Sequence, residues 1–260
     1  MISTFGSPSA PAVLLIAGIG STMDWWEPGF CRLLEGRHVI RYDHRDTGDA
    51  PSYPPGRPGY TGDDLVTDAA AVLDEVGVAA AHVVGISMGG ALAQLLTLNH
   101  PDRVLSLTAM STTAGPGDPD LPGPSSLVDV PEPDWADDAA VVSYLVESQR
   151  AVAEGPFDEA EVRAVATIAV SRTKNHESSQ KNHLAAAGSG SWRHRLGEIT
   201  VPVLVIHGDQ DPLFPLPHGE ALAREIPGAR LVVLPDTGHE FPRRNWPLVV
   251  PEILTLTSGG

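Results

Sequence analysis

The feature that most constrains the fold is a serine between two glycines, at the junction of a strand and a helix. Gly-Ile-Ser-Met-Gly at 85–89 follows an apolar run at 81–86 and opens a helical pattern that extends to about Asn99. In such a strand–turn–helix the turn is so tight that the central residue takes strained backbone angles and exposes its side chain. A Cβ at either glycine would collide with the crossing helix and strand. The pattern therefore predicts an exposed, nucleophilic hydroxyl at Ser87.

Short apolar runs alternate with helical patterns on both sides of this motif. The predicted strands lie at 13–17, 39–42, 81–86, 104–110, 203–206 and 231–234. The predicted helices lie at about 61–77, 88–99, 217–226 and 247–257. Strands that are apolar on both faces are typical of a parallel sheet covered by helices on two sides. The predicted fold class is therefore α/β, with a mostly parallel sheet between layers of helices.

The stretch from Thr112 to Ile199 breaks this alternation. A segment rich in Pro, Gly and Asp at 115–133 is followed by two helical patterns, at about 137–153 and 158–171, and by a polar region at 174–183. We expect an inserted helical cap between two core strands. The predicted boundaries are 1–111 for the first part of the core, 112–199 for the cap and 200–260 for the second part of the core.

Composition narrows the class of partner and the compartment. The formal net charge of -16 argues against binding to nucleic acid or to an anionic membrane surface. Cys31 is the only cysteine, so no disulfide can form within the chain and a reducing compartment is compatible. No apolar stretch has the length of a membrane span, and the N-terminus lacks the features of a signal peptide. We expect a cytoplasmic protein with a small-molecule partner, and the sequence does not indicate an oligomeric state.

A serine nucleophile needs a general base, and His239 is the predicted one. It follows Gly238 just past the last predicted strand, so it lies at the same carboxyl edge of the sheet as Ser87. His207 is the competitor, but it lies at the end of a strand, where a buried structural role is expected. A surface histidine without a catalytic role is the alternative for His239.

The base in turn needs an orienting carboxylate, for which Asp211 and Asp209 compete. Both follow the strand that ends near His207. We favour Asp211, because Pro212 fixes the turn around it, whereas Asp209 lies one residue past Gly208, where a loop-capping carboxylate is expected.

Two backbone N–H groups are predicted to bind the negative oxygen that forms during acyl transfer. One belongs to Met88, directly after the nucleophile. The other is assigned to Ile19, in the loop after the first apolar strand, where Gly18 and Gly20 let the backbone approach a substrate closely. The alternative for Gly18–Gly20 is a simple turn.

Three aromatic residues near this edge, Trp25, Phe214 and Phe241, are candidates to line a substrate pocket, with ordinary packing as the alternative for each.

The charged cluster at 43–48 lacks spacing that would bring several ligands to one ion, and we expect Asp43 and Arg45 to tie down a loop instead. No zinc spacing or phosphate-binding loop appears. We therefore expect no metal and no organic cofactor, and a structural role for Cys31.

Several of these motifs together resemble the α/β-hydrolase superfamily over nearly the whole chain. The matching segments are the strand and loop at 14–18, the charged loop at 41–48, the serine turn at 83–90, the acid loop at 208–212 and the base loop at 238–239. The sequence of residues 41–48 is similar to that of the branch that includes aclacinomycin methylesterases, bacterial carboxylesterases and cofactor-free haloperoxidases. Three features depart from the family. Ala17 stands where a histidine is usual, and the short N-terminus implies that the opening hairpin is absent or reduced to one edge strand. The stretch at 112–199 is compact and rich in Pro and Gly, so the substrate does not follow from the resemblance.

The resemblance implies hydrolysis of a carboxylic ester through a Ser-His-Asp triad and an acyl-enzyme, without a cofactor. Perhydrolysis, in which peroxide replaces water, and hydrolysis of a carbon–carbon bond use the same residues and stay open alternatives. A ligand-binding member of the fold without catalysis is a third. A serine at position 87 argues against haloalkane dehalogenases and epoxide hydrolases, which carry an aspartate there.

Overall fold

A mixed sheet forms the centre of the protein in the computed structural model, which describes residues 1–115, 117–125, 129–186 and 190–258. Its strands are β1 (Ile2–Phe5), β2 (Ala12–Ile16), β3 (His38–Tyr42), β4 (Ala81–Ile86), β5 (Val104–Met110), β6 (Val203–Gly208) and β7 (Arg230–Leu234). Their order across the sheet is β1-β3-β2-β4-β5-β6-β7. The edge strand β1 runs antiparallel to β3, and the other neighbouring pairs are parallel.

Helices cover both faces of this sheet. They are α1 (Pro28–Leu33), α2 (Gly62–Glu75), α3 (Met88–Asn99), α4 (Asp138–Val152), α5 (Glu159–Arg172), α6 (His176–Ala186), α7 (Pro217–Glu225) and α8 (Trp246–Leu256). One apolar cluster joins the sheet to α2 and α3, and a second joins it to α1 and α8. The predicted α/β class, with a mostly parallel sheet between helices, is confirmed.

Strand β2 shows why the sequences of the core strands are continuous apolar runs. Leu14 and Ile16 belong to the cluster under α2 and α3, whereas Val13 and Leu15 belong to the cluster under α1 and α8. All four side chains are fully buried. Because successive side chains of a strand point to opposite faces, a strand covered on both sides must be apolar at every position. Each buried side chain of this size stabilises the fold by roughly 1.5–3 kcal/mol.

Helix α2 begins with a capping box. The backbone N–H of Asp64 donates to the Thr61 hydroxyl, and the Asp64 carboxylate accepts from the backbone N–H of Thr61. Gly77 follows the end of the helix with a φ of 72°, in the left-handed region that glycine reaches without a steric penalty. These two signals place α2 as the sequence predicts.

The N-terminal residues form a single edge strand, β1, rather than a hairpin. No helix in the described ranges is both long and apolar enough to cross a bilayer.

Helices α4, α5 and α6 lie between β5 and β6, in the stretch for which a cap is predicted. We call residues 112–199 the insertion. Its residues 116, 126–128 and 187–189 lie outside the described part of the chain, and its limits as a separate domain stay a prediction. Helix α6 occupies most of 174–183, for which the sequence indicates only a polar region. Several of the helix's buried residues are polar, so it shows no apolar periodicity.

Buried histidines are expected to make the fold sensitive to mild acid. Burial lowers the pKa of His82, His183 and His207, and burial together with the neighbouring His183 lowers the pKa of His44 to about 3. Below the ordinary histidine pKa of about 6.5, the unfolded chain binds protons that the folded chain does not. The stability present above this pH is therefore lost as the pH falls, by up to about 1.4 kcal/mol per pH unit for each such histidine.

The free energy of unfolding, measured with urea at pH 8, 7, 6 and 5, should be flat at the top of this range and fall below pH 6.5. His82→Asn should reduce the slope of this fall, because one buried histidine is removed. An equal stability at pH 7 and pH 5 would contradict this prediction.

Candidate active site

Ser87 occupies the strained turn that the sequence predicts. It follows β4 directly and has φ 56° and ψ -122°, a conformation that non-glycine residues rarely adopt. Two contacts from β5 and the residues after it hold this conformation. The Ser87 N–H donates to the carbonyl of Met110 (2.9 Å), and the Thr112 hydroxyl donates to the carbonyl of Ser87 (2.8 Å).

The flanking glycines leave no room for a side chain. A Cβ at Gly85 would lie 2.1 Å from the carbonyl oxygen of Gly89, and a Cβ at Gly89 would lie 2.2 Å from the carbonyl oxygen of Ile16. Both are backbone atoms that cannot move without disturbing the sheet. The steric reason given for these glycines therefore applies in the structure.

A chain of hydrogen bonds joins Ser87, His239 and Asp211. The Ser87 Oγ lies 2.8 Å from Nε2 of His239, and Nδ1 of His239 lies 2.8 Å from Oδ2 of Asp211. The ionised carboxylate can only accept, so Nδ1 carries the proton and Nε2 is free to accept from the serine hydroxyl. The side chain of Asp211 is fully buried, while that of His239 is 10% exposed.

The acid loop is organised around Asp211 rather than Asp209. Burial opposes ionisation of Asp211, but the hydrogen bond from His239, the electrostatic attraction to its imidazole and a backbone N–H together hold the pKa of the carboxyl below its usual range. Its Oδ1 accepts from the N–H groups of Leu213 and Phe214, both at 2.9 Å. Asp209 instead accepts from the N–H of Thr237 (3.2 Å), as a loop-capping carboxylate does.

The loop that carries His239 rests on the insertion. The His239 N–H donates to the carbonyl of Val152 at the end of α4 (2.8 Å). A Cβ at Gly238 would lie 2.2 Å from the same carbonyl oxygen, so a glycine is needed for this approach. The position of the imidazole therefore depends on α4.

His207, the competing histidine, is fully buried. Its Nε2 donates to the carbonyl of Phe214 (2.7 Å) and lies 3.7 Å from Oδ2 of Asp211. His207 therefore supports the acid loop, and among the described residues its ring forms no hydrogen bond with Ser87.

Of the two predicted oxyanion donors, Met88 directly follows Ser87, and Ile19 follows Gly18, which lies close to Ser87. Met88 is the first residue of α3, and the loop after β2 passes so close that a Cβ at Gly18 would lie 3.5 Å from Cβ of Ser87. Within the described residues, the N–H groups of Ile19 and Met88 donate to no protein acceptor. The positive end of the α3 dipole adds to the attraction for a negative oxygen at this point.

The three aromatic candidates fall in different environments. The Phe214 ring centroid lies 5.5 Å from that of His239, beside the hydrogen-bonded chain. Trp25 borders a small cavity between the loop after β2 and helices α4 and α5. Phe241 packs in an aromatic cluster with Trp26 and Phe30, at 5.7 and 5.2 Å between ring centroids. Substrate contact by any of the three stays a prediction.

These environments predict different effects for two matched substitutions. Phe214→Ala should raise KM for a bulky ester roughly 5- to 30-fold, since an aromatic contact of about 1–2 kcal/mol is lost beside the imidazole. Phe241→Ala should leave KM unchanged and lower the free energy of unfolding by roughly 2–4 kcal/mol, because its partly buried ring packs against the core cluster. Steady-state kinetics and urea unfolding of both variants measure these effects. A raised KM in Phe241→Ala with a loss of stability alone in Phe214→Ala would exchange the two roles.

Other sequence candidates have structural contacts. Asp43 accepts from the N–H of Met23 (3.0 Å) and forms an ion pair with Arg172 of α5, while Arg45 pairs with Asp68 (2.7 Å). These contacts tie down the charged loop, as expected.

Cys31 is buried, and its thiol donates to the carbonyl of Trp26 (3.4 Å). Burial raises the pKa of this thiol to about 12, which suppresses the reactive thiolate.

Sequence reasoning missed a set of polar side chains on α6 that contact the loop after β2. The Gly20 N–H donates to Nδ1 of His183 (3.0 Å), and Nε2 of Gln180 donates to the Gly20 carbonyl (3.2 Å). The one signal in the sequence was Ala17, which stands where relatives carry a histidine that supports this loop. The Ala17 carbonyl accepts from Nε2 of His44 (3.2 Å).

Comparison with known proteins gives consistent matches. A family model described as alpha/beta hydrolase fold matches residues 11–242. Rhodomycin D methylesterase DauP of Streptomyces sp. (strain C5) is 37% identical over 260 residues, covering 91% of this chain and 87% of that protein. The rhodomycin D methylesterase DnrP of Streptomyces peucetius is 36% identical with the same coverage. The crystal structure of a hydrolase from Pseudomonas aeruginosa PA01 matches with a TM-score of 0.76 and 26% identity, covering 100% of this chain and 94% of that one.

Proposed function

The chain belongs to the α/β hydrolase fold family and is a hydrolase of the esterase type, and on this premise we propose that Ser87, His239 and Asp211 form its catalytic triad. The observation that carries the proposal is the hydrogen-bonded chain from the strained Ser87 through His239 to the buried Asp211. A serine hydroxyl becomes nucleophilic when a neutral imidazole with a fixed tautomer accepts its proton.

In the first half of the reaction, Oγ of Ser87 attacks the ester carbonyl carbon while its proton passes to Nε2 of His239. The carbonyl oxygen becomes an oxyanion and accepts hydrogen bonds from the N–H groups of Ile19 and Met88. Asp211 stabilises the imidazolium through Nδ1. Collapse of this intermediate breaks the bond to the alcohol oxygen, which takes the proton from Nε2 and leaves an acyl-enzyme. Removing one such oxyanion donor typically costs about 10²–10³ in kcat.

In the second half, a water molecule gives a proton to His239 as its oxygen attacks the acyl carbon. A second oxyanion forms in the same place. Its collapse breaks the bond to Oγ of Ser87, which recovers the proton from Nε2, and the carboxylic acid is released. The cycle needs no metal or organic cofactor.

We propose a methyl ester of a bulky polycyclic carboxylic acid as the substrate class. Both relatives above are named for a methylesterase activity on rhodomycin D. Phe214 supplies an aromatic surface beside His239 for a flat acid portion. We further propose that the insertion acts as a cap that selects the acid portion, since α4 and α6 contact the base loop and the loop after β2. The cytoplasmic location and the expected lack of binding to nucleic acid and membranes stay predictions.

A panel of methyl esters with a series of acid portions, from acetate to polycyclic acids, tests this function. Methanol release should be fastest for the polycyclic methyl esters and slower for the matching ethyl esters. The same panel with hydrogen peroxide added measures peracid formation. Peracid formation without hydrolysis in its absence would make perhydrolysis the activity, and binding of every ester without turnover would indicate a ligand-binding member of the fold.

A further inference from the structure

Helix α6 binds the loop after β2 through both the backbone N–H and the backbone carbonyl of Gly20. The Gly20 N–H donates to Nδ1 of His183 (3.0 Å), and the Gly20 carbonyl accepts from Nε2 of Gln180 (3.2 Å). Gly20 has a φ of 64°, and a Cβ there would lie 2.9 Å from Nε2 of Gln180. The loop and the helix therefore meet without space for a side chain between them.

The partners of His183 fix its tautomer. Its Nε2 lies 2.8 Å from the carbonyl oxygen of Arg45, which can only accept, so Nε2 carries the proton. Nδ1 is then the acceptor that the Gly20 N–H requires. Burial lowers the pKa of His183, which keeps the ring neutral and the Nδ1 lone pair available.

The imidazole has little freedom to move. His183 is 2% exposed, and its ring packs edge-on against His44 and Tyr60, at 5.7 and 6.4 Å between ring centroids. The neighbouring Asn182 donates to the carboxylate of Asp46 (2.9 Å), which anchors the same turn of α6 to the charged loop. His183 is thus a rigid bridge between the charged loop and the loop after β2.

Gly20 lies directly after Ile19, so fixing its N–H fixes the plane of the Ile19–Gly20 peptide. The preceding peptide is held from the other side, because the Ser21 N–H donates to the Gly18 carbonyl (3.2 Å). In a trans peptide the C=O and N–H point in opposite directions, so this contact also sets the direction of the Ile19 N–H. The Ile19 N–H belongs to the Gly18–Ile19 peptide, which the Ser21 N–H holds, and the next peptide is held by His183. The two contacts together fix the direction of the Ile19 N–H.

We propose that His183 is a positioning residue for catalysis, which accepts the Gly20 N–H through Nδ1 and thereby aims the Ile19 N–H at the oxyanion. This role rests on the proposed function, because it presumes that Ile19 donates to the developing negative charge. His183 does not touch the substrate. The usual family histidine before Gly18 is absent, Ala17 being in its place, and the insertion supplies the support for this loop from α6.

A loosened Ile19 N–H weakens the transition state more than the ground state, since the charge on the oxygen develops only as Ser87 attacks. The expected signature is a lower kcat with a nearly unchanged KM. A residue that merely docks the helix would lower stability, with activity following the fraction of folded protein.

Two substitutions at this position separate the two hydrogen bonds. The Oδ1 of Asn in His183→Asn can take the place of Nδ1 and accept from Gly20, but the contact with the Arg45 carbonyl is lost. The amide of Gln in His183→Gln reaches the place of Nε2 and keeps the contact with Arg45, but leaves Gly20 without its acceptor. Each variant loses one hydrogen bond, so the cost in stability should be similar. His82→Gln is the matched control, a buried histidine that contacts Ser106 at the far end of β4.

We expect His183→Gln to lower kcat for a methyl ester 10- to 100-fold with KM changed less than three-fold, and His183→Asn to retain kcat within about three-fold. The inhibition constant of an alkyl trifluoromethyl ketone, which forms an oxyanion on Ser87, should rise in His183→Gln in parallel with the fall in kcat. His82→Gln should lower the melting temperature and leave kcat unchanged.

Equal kcat values in the two His183 variants, or a loss of kcat that follows the melting temperature across all three, would overturn the proposal. Labelling of the wild-type protein with a fluorophosphonate, followed by mass spectrometry, separates this failure from a failure of the proposed function. Labelled Ser87 with equal His183 variants rejects only the role of His183, whereas an unlabelled Ser87 rejects the triad on which that role rests.

Discussion

Ser87→Ala is expected to lower kcat for ester hydrolysis by a factor of about 10⁴–10⁶, the usual cost of losing the nucleophile of a triad. The β-carbon is kept, so the strained turn and its contacts with Met110 and Thr112 stay in place. The melting temperature should change by no more than a few degrees. Turnover of p-nitrophenyl acetate by purified variant and wild-type protein, with circular dichroism of both, measures the two effects.

Ser106→Ala is the matched control for this substitution. It removes a buried serine hydroxyl from β5, where the contact is with His82 and not with the site. This variant should lose stability and keep kcat. Near wild-type turnover by Ser87→Ala would remove Ser87 from the mechanism, and the hydrogen bond from its hydroxyl to His239 would then have only a structural meaning.

Asp211→Asn is expected to cost on the order of 10⁴ in kcat, while Asp209→Asn costs less than about ten-fold. An amide at 211 can donate to Nδ1 of His239, which drives the proton to Nε2 and leaves no acceptor for the serine hydroxyl. An amide at 209 keeps an oxygen that accepts from the N–H of Thr237, so the loop remains capped.

Steady-state kinetics of the two amide variants on one methyl ester compares them directly. KM should be similar in both, because the Asp211 carboxylate binds His239 and the acid loop, and that of Asp209 binds the N–H of Thr237. A larger loss of kcat in Asp209→Asn than in Asp211→Asn would exchange the roles of the two aspartates.

The sheet and most helices could be predicted because their positions follow from local patterns. Strands β2, β4 and β6 are apolar on both faces, and the chain order of serine, acid and histidine places all three after parallel strands. The glycines around Ser87 and the proline after Asp211 carry steric information that can be read without the fold.

Helix α6 could not be predicted in this way. Its buried residues include Ser178, Asn182 and His183, which are held by hydrogen bonds to residues more than 100 positions away in the chain. Hydrophobic periodicity detects an apolar face, not a polar face that becomes buried by specific long-range contacts. The support of the loop after β2 by His183 was missed for the same reason.

Phe241 illustrates a related limit. Its position two residues after His239 makes it a neighbour of the site in sequence, but its ring lies in the aromatic cluster with Trp26, Phe30 and Trp246. The direction of a loop side chain depends on φ and ψ angles that the sequence does not specify. Proximity in the chain therefore does not decide whether the ring contacts a substrate, and that contact stays a prediction.

The claim that Ser87 is the activated nucleophile is tested most directly by reaction with a fluorophosphonate, followed by peptide mapping with mass spectrometry. Fluorophosphonates bond to serine hydroxyls whose proton a neighbouring base can accept, so the reaction reports activation by His239 as well as exposure. We expect one adduct per chain, located on Ser87, with loss of esterase activity in proportion to labelling and no labelling of the Ser87→Ala variant. An adduct on another serine that accompanies the loss of activity, or an active enzyme that the reagent never labels, would contradict the proposed mechanism.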